Sequence, residues 1–148
     1  MDTVVKKTLS SLRSRHINAF FAGNHDEVNQ RILTLIPRNA VVGIGDSTAA
    51  RQLGIIEVLR ENGRKVLNPF EMTSTEDRKR VHHEATVCDA FLTGTNAITQ
   101  DGKLVNVDAV GNRVAGIVWG HPVSVVIVGR NKIVKDLDEA FHRVRKVI

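Results

Sequence analysis

At 148 residues the chain has the length of one domain, and folding a chain of this size removes roughly 70% of the unfolded surface from water. Hydrophobic residues are 42% and charged residues 25%, an ordinary globular balance with no run approaching the ~20 apolar residues that span a bilayer. A net charge of +5 and a pI near 9.8 raise the question of nucleic acid. The cations, however, scatter along helices, and aromatics are only 4%, too few to build base-stacking platforms.

The densest cationic groups, Arg78-Lys79-Arg80 and Arg143-Arg145-Lys146, therefore read as solvated helix faces, and neither a specific nucleic acid nor a membrane is expected as a partner. Cys88 is the single cysteine and makes no internal disulfide. Lys6 and Lys7 are not followed by an uninterrupted apolar run, so no signal peptide is read and a cytoplasmic protein is expected.

In chain order, Val5, Leu9 and Leu12 share one face of a helix predicted over Thr3 to Arg15. Ile17, Ala19 and Phe21 alternate, which predicts a first strand over His16 to Ala22. Asn24 and Glu27 stand as N-cap and N3 of a helix carrying Val28, Ile32, Leu35 and Ile36, which stops before Pro37. Ala40 to Gly45 reads as a short buried strand. Ser47-Thr48 opens a helix running to Gly63, a residue suited to the left-handed C′ position.

Lys65-Val66-Leu67 is the next strand, closed by Asn68-Pro69. Ser74 and Asp77 start a helix that runs to about Cys88, and Ala90-Phe91-Leu92 is a strand into the loop Thr93-Gly94-Thr95-Asn96. Asp101-Gly102 signals a tight hairpin between Ile98 and Leu104-Val105. Gly111 to Trp119 is a short helix, and Val123 to Val128 reads as the clearest buried strand. A final helix starts near Asp136, with Asp138 and Glu139 early and His142, Arg143, Arg145 and Lys146 late, matching the helix dipole. This alternation predicts an α/β fold, a mostly parallel Rossmann-like sheet flanked by helices with a small β-hairpin excursion, in one domain over 1–148.

In open α/β sheets ligands bind beyond the carboxyl ends of the strands, and that rule selects four loops. The first holds Gly43, Gly45, Asp46, Ser47 and Thr48: glycines admit close backbone approach and free helix-start N–H groups favour an anion. A tight strand-to-helix turn capped by Ser47 or Asp46 explains the same residues equally well. The spacing is neither a dinucleotide fingerprint nor a P-loop, and no cofactor is expected. The second loop holds Thr93, Gly94 and Asn96.

The third runs Asn106, Asp108, Gly111, Asn112, Arg113; Asn106 and Asp108 project to one side in extended backbone, and Arg113 offers a fork of donors for a carboxylate or phosphate. The alternative is that Asp108 and Arg113 pair with each other. The fourth is Gly129 to Lys132, with Asn131 and Lys132 as candidates. Four asparagines beside Asp108, Arg113 and Lys132 point to a small anionic metabolite, with Asp108 the first candidate for a general base and Asp46 the second. His82-His83-Glu84 and Cys88 include metal-ligand types, but the five-residue step from His83 to Cys88 does not share a helix face, and no metal site is expected.

At these loops the chain resembles the LUD (lactate-utilisation) domain family. The resemblance is carried by Val42 to Thr48, by Phe91 to Thr99 continuing through Asp101 to Asp108, by Gly111 to Ala115 and by Val126 to Val134, and it spans about Val41 to Ile148. It implies a fold similar to glucosamine-6-phosphate deaminase, ribose-5-phosphate isomerase and CoA transferases. The block from Thr93 to Ala115 also resembles methylthioribose-1-phosphate isomerase, in which an acidic residue of the corresponding loop is catalytic; Asn96 stands in that neighbourhood here.

The family further implies a role in lactate or organic-acid utilisation, as a subunit beside iron–sulfur proteins that oxidise lactate to pyruvate, with homo-oligomerisation also expected. Many relatives continue into a cysteine-rich tail. With one cysteine before Ile148, direct ligation of a cluster is not expected of this chain. A stand-alone sugar-phosphate isomerase or acyl-transfer enzyme and a non-enzymatic ligand-sensing module remain the rival readings.

Overall fold

The structure, a computed structural model, describes residues 1–147. Two compact units divide the chain. The sheet unit comprises Gly23–Gly94 and Asp108–Ile127; the hairpin unit comprises Met1–Ala22, Thr95–Val107 and the residues from Val128 on.

The sheet unit is built on β1 (Val41–Ile44), β2 (Lys65–Leu67), β3 (Ala90–Gly94) and β6 (Val123–Ile127), all parallel, in the order β2-β1-β3-β6. Helix α2 (His25–Leu35) leads into β1, and α3 (Thr48–Leu53), α4 (Ile55–Glu61), α5 (Thr75–Ala85) and α6 (Asn112–Val118) lie between successive strands of this sheet. The expected mostly parallel α/β sheet is thus the observed one. Its core joins Ile32 and Ile36 of α2 and its C-cap, Val42 and Ile44 of β1, Ile55 and Leu59 of α4, and Leu92 of β3. Fully burying each such side chain is worth roughly 1.5–3 kcal/mol.

Local chemistry accounts for most boundaries. Asn24 accepts from the Glu27 N–H at 2.9 Å, and the Glu27 carboxylate reaches back to the Gly23 N–H at 2.7 Å, a reciprocal cap on α2. Gly63 takes the left-handed conformation (φ +81) that was expected just past a helix end. The helix expected from Ser47 to Gly63 is two helices, however. Gly54, at φ +62, ends α3 and starts α4, and a left-handed residue breaks the helical hydrogen-bond ladder.

The α5 helix ends at Ala85, three residues short of Cys88, where the Thr86 hydroxyl donates to the His83 carbonyl at 2.7 Å. Thr93 and Gly94 belong to β3 rather than to the loop after it, and β3, flanked on both sides, is buried along its whole length. Val123–Ile127 is only half-buried because β6 lies at the edge of the four-stranded sheet.

One interaction in this unit has no signature in the sequence. The Arg64 side chain is buried, and its guanidinium donates to the carbonyls of Leu33 (2.8 Å), Ile36 (2.6 and 3.3 Å) and Asn62 (2.7 Å). It thereby satisfies carbonyls that the end of α2 leaves without intrahelical partners.

In the hairpin unit, α1 (Thr3–Ser14) is capped by Asp2, whose carboxylate accepts from the Val5 N–H at 2.8 Å. The strand expected over His16 to Ala22 is absent: His16 turns at φ +60, Ile17, Phe20 and Phe21 are exposed, and only Ala19 packs inward, beside Leu9, Leu12 and Ile98. The Arg13 guanidinium holds the Ala19 carbonyl at 2.8 Å, so this backbone is satisfied without a ladder. The hairpin forms as expected, β4 (Ala97–Thr99) antiparallel to β5 (Leu104–Val105), with Gly102 at φ +84. A side chain there would also lie 3.0 Å from the Ser11 backbone. A short strand β7 (Ile133–Val134) pairs in parallel with β4 and completes a three-stranded sheet, and α7 (Leu137–Val147) follows it.

Candidate functional site

Eleven of the fifteen residues expected at a site lie in the sheet unit and four in the hairpin unit. In the sheet unit the β1–α3 turn carries Gly43, Gly45, Asp46, Ser47 and Thr48. The two glycines are explained by packing. A Cβ on Gly43 would lie 2.7 Å from the Ala85 carbonyl oxygen, and one on Gly45 would collide with the Thr93 side chain. Thr93 itself is completely buried beneath that turn. A Cβ on Gly94 would likewise lie 2.9 Å from Ser47 Oγ. These contacts place the carboxyl ends of β1 and β3 side by side.

Ser47 is buried and caps α3, its Oγ accepting from the Ala50 N–H at 3.1 Å. Asp46 and Thr48 both hold Arg51: Nη1 donates to the Asp46 carboxylate at 2.7 Å and Nη2 to the Thr48 hydroxyl at 3.2 Å. The Arg51 Nε carries no hydrogen bond among the described residues. Arg51 and Asp46 are both more than half exposed, so the pair itself contributes little stability, about 0–1 kcal/mol.

A small cleft of about 30 Å³ opens where β1 and β2 end, and Gly45, Ser47, Arg51 and Asn68 are among its lining residues. Arg51, Asn68 and Phe70 were not anticipated as site residues. Arg51 sits mid-helix, where its sequence context resembles any solvated helix position. Asn68-Pro69 read only as a strand terminator.

Asp108 and Arg113 meet in the same unit. Arg113 Nε donates to Asp108 Oδ1 at 2.5 Å, and Oδ2 accepts from the Val114 N–H at 2.8 Å. Gly111, at φ +76, precedes α6 and brings no side-chain cap of its own, so the Asp108 carboxylate supplies it from three residues upstream. The Asp108 side chain is 3% exposed and that of Arg113 14%. Asn112 is the first residue of α6.

In the hairpin unit Asn96 is fixed twice: its side-chain oxygen accepts from the Val107 N–H at 3.0 Å, and its carbonyl accepts from Arg143 Nε at 3.0 Å. Lys132 Nζ donates to the neighbouring Thr95 carbonyl at 2.8 Å. Asn106 follows β5, and its side-chain oxygen is buried without a hydrogen-bond donor. Asn131 is exposed in the 3-10 turn Arg130–Lys132, its Oδ1 folded over Gly129. Arg143, a late basic residue of the last helix, carries no sequence signal beyond a solvated helix face and the helix dipole.

Cys88 is half-buried, its thiol donating to the Ala85 and Ala90 carbonyls at 3.0 Å each; burial, foremost, pushes that thiol above the usual range. His121 Nδ1 lies 2.8 Å from the Cys88 carbonyl oxygen, and its ring stacks on Phe91 with centroids 5.6 Å apart. Among the described residues no three His, Cys, Asp or Glu side chains gather closely enough to hold a metal ion, and no helix is long and apolar enough to cross a membrane.

A four-stranded parallel sheet flanked by helices, with a small cleft at its strand ends, defines an open-sheet α/β protein. The LUD domain family model matches residues 5–148, and the chain belongs to that family. It is therefore related to lactate-utilisation proteins in general. No curated protein and no solved structure matches it.

Proposed function

We propose that this LUD-domain chain serves lactate or related organic-acid utilisation in the cytoplasm by binding a small anionic metabolite at the strand-end cleft of the sheet unit, as a subunit beside iron–sulfur proteins of a lactate-oxidising system. The observation that carries the reading is Arg51. Its guanidinium is held by Asp46 and Thr48 at the edge of a cleft lined by Gly45, Ser47 and Asn68. An oriented guanidinium is a fixed fork for a carboxylate or phosphate.

Size supports a small ligand. The cleft's free space, about 30 Å³, lies far below the ~300–1,000 Å³ of drug-sized sites and is too little for a dinucleotide. Asp46, paired to the same arginine, is a candidate for proton transfer. Asp108 would act as a base only by releasing Arg113 and the Val114 N–H.

The test is a thermal-shift screen of small carboxylates and phosphates against the full chain and Arg51→Met. A ligand at a hundred times its Kd adds about 2.7 kcal/mol, which raises the Tm of a chain this size by roughly 5–10 °C. The expected result is such a shift with carboxylates in the parent and none in Arg51→Met. Equal shifts in both proteins would remove the cleft as the binding site.

A further inference from the structure

The parallel sheet ends on two unlike edges. At one, β2 is three residues long, carries the exposed Lys65 and runs into Asn68-Pro69, so the edge is short, charged and closed by a residue that cannot extend a ladder. At the other, β6 is five residues, Val123-Ser124-Val125-Val126-Ile127, with neither charge nor proline. It pairs with β3 on one side, and among the described residues no further backbone hydrogen bond reaches it. An edge left unblunted in this way offers its N–H and C=O groups to another strand.

An apolar helix face lies over the same strand. α6 packs on the sheet through Gly116: a Cβ there would lie 2.2 Å from the Phe91 ring, and the Gly116 carbonyl accepts from Ser124 Oγ at 3.1 Å. Val123, Val125 and Ile127 pack instead against the core on the other face of the sheet. The side of α6 away from Gly116 carries Val114 and Val118, one turn apart, and the helix ends on Trp119. All three are exposed, Val118 to 76% and Trp119 to 61%. From Val114 to Ile127 there is no Lys, Arg, Asp or Glu, on a chain whose residues are 25% charged and whose net charge is +5.

We propose that β6 and the Val114, Val118 and Trp119 face of α6 form a two-fold interface with a second copy of this chain. Two β6 strands run antiparallel about an axis normal to the sheet, joining two four-stranded sheets into one, and the same axis brings both α6 helices to one face. Charge favours this occupant. Copies at +5 repel each other through their charged surfaces, and this uncharged stretch is where they meet without opposing charges, whereas an acidic partner finds no cation here to pair with. Area agrees. The three exposed side chains and the rim of β6 present on the order of 500 Å² per copy, so a pair buries about 1,000 Å² in total, the lower bound for a specific interface. The dimer is accordingly weak, with a Kd in the micromolar range.

Trp119 is the chain's single tryptophan, so its fluorescence reports on this surface directly. The experiment follows the full-length chain from about 1 to 500 µM, the span that brackets a micromolar Kd, by sedimentation equilibrium, tryptophan emission and amide hydrogen exchange. The mass should rise from 16.3 kDa toward twice that value. Trp119 emission should move to the blue with the same midpoint, and amides of Val123–Ile127 should gain protection over the same range. Val118→Lys should weaken association roughly a hundredfold, because a two-fold contact loses the valine from both copies. The side chain is exposed, and an unchanged urea midpoint at low concentration establishes that the variant folds. A single-chain mass up to the highest concentration overturns the proposal and leaves the surface to a different partner. So does a mass that climbs past two chains, a dimer in which Trp119 emission and the β6 amides do not change, or a folded Val118→Lys variant that associates as the parent does.

Discussion

Replacing Asp108 by asparagine tests whether the Asp108–Arg113 pair holds the fold or the ligand. The carboxylate accepts from Arg113 Nε through one oxygen and from the Val114 N–H through the other, in a side chain 3% exposed. Asparagine keeps one acceptor and turns an NH₂ toward the second donor. Either the guanidinium loses its buried counter-charge or α6 loses its cap. Breaking a buried pair by removing one partner costs about 3–5 kcal/mol, and losing a helix cap about 1 kcal/mol. The retained acceptor offsets part of this, so a loss of roughly 3 kcal/mol is expected, lowering Tm by roughly 6–12 °C for a chain of this length. Urea denaturation followed by circular dichroism measures it, with carboxylate titration run in parallel. A loss below about 1 kcal/mol refutes the buried-pair argument. Unchanged stability with abolished binding would instead give Asp108 a direct part in ligand contact.

Three further outcomes are expected. Arg64→Met should cost about 3–4 kcal/mol in urea, because the carbonyls of Leu33, Ile36 and Asn62 lose charged donors in a buried setting; a loss under about 1 kcal/mol would show that water replaces them. Gly54→Ala should cost about 1–2 kcal/mol from backbone strain alone, since nothing lies within 4 Å of the new methyl, and a neutral or stabilising result would contradict the left-handed break between α3 and α4. Cys88 should react with a thiol reagent more slowly than a free cysteine at mildly alkaline pH. Its raised pKa leaves less thiolate, so the rate should climb only at pH values above those at which a free thiol ionises; an unshifted rate profile would contradict its half-buried state.

What could be read from the residues was local. The Asn24–Glu27 cap, the Ser74–Asp77 start, the left-handed Gly63 and the Asp101-Gly102 hairpin are decided within a few residues of themselves, so their signals sit in short stretches of chain. Of the candidate site, Ser47 and the Asp108–Arg113 pair were legible for the same reason: their partners are three to six residues away.

Tertiary structure decided the rest, because sequence period says how a segment is patterned but not what lies beside it. The alternation at Ile17, Ala19 and Phe21 suited a strand and found no neighbour to pair with. Ile133–Val134 is too short to announce itself and became a strand because β4 offered an edge. The apolar run of β6 looked central but took an outer place, while β3 took two neighbours. Arg64 reads as one more basic residue until the fold brings the end of α2, 28 positions upstream, against its guanidinium. Arg51 and Phe70 line one cleft only because β1 and β2 pair in parallel and finish at the same end of the sheet, a long-range pairing that no local pattern specifies.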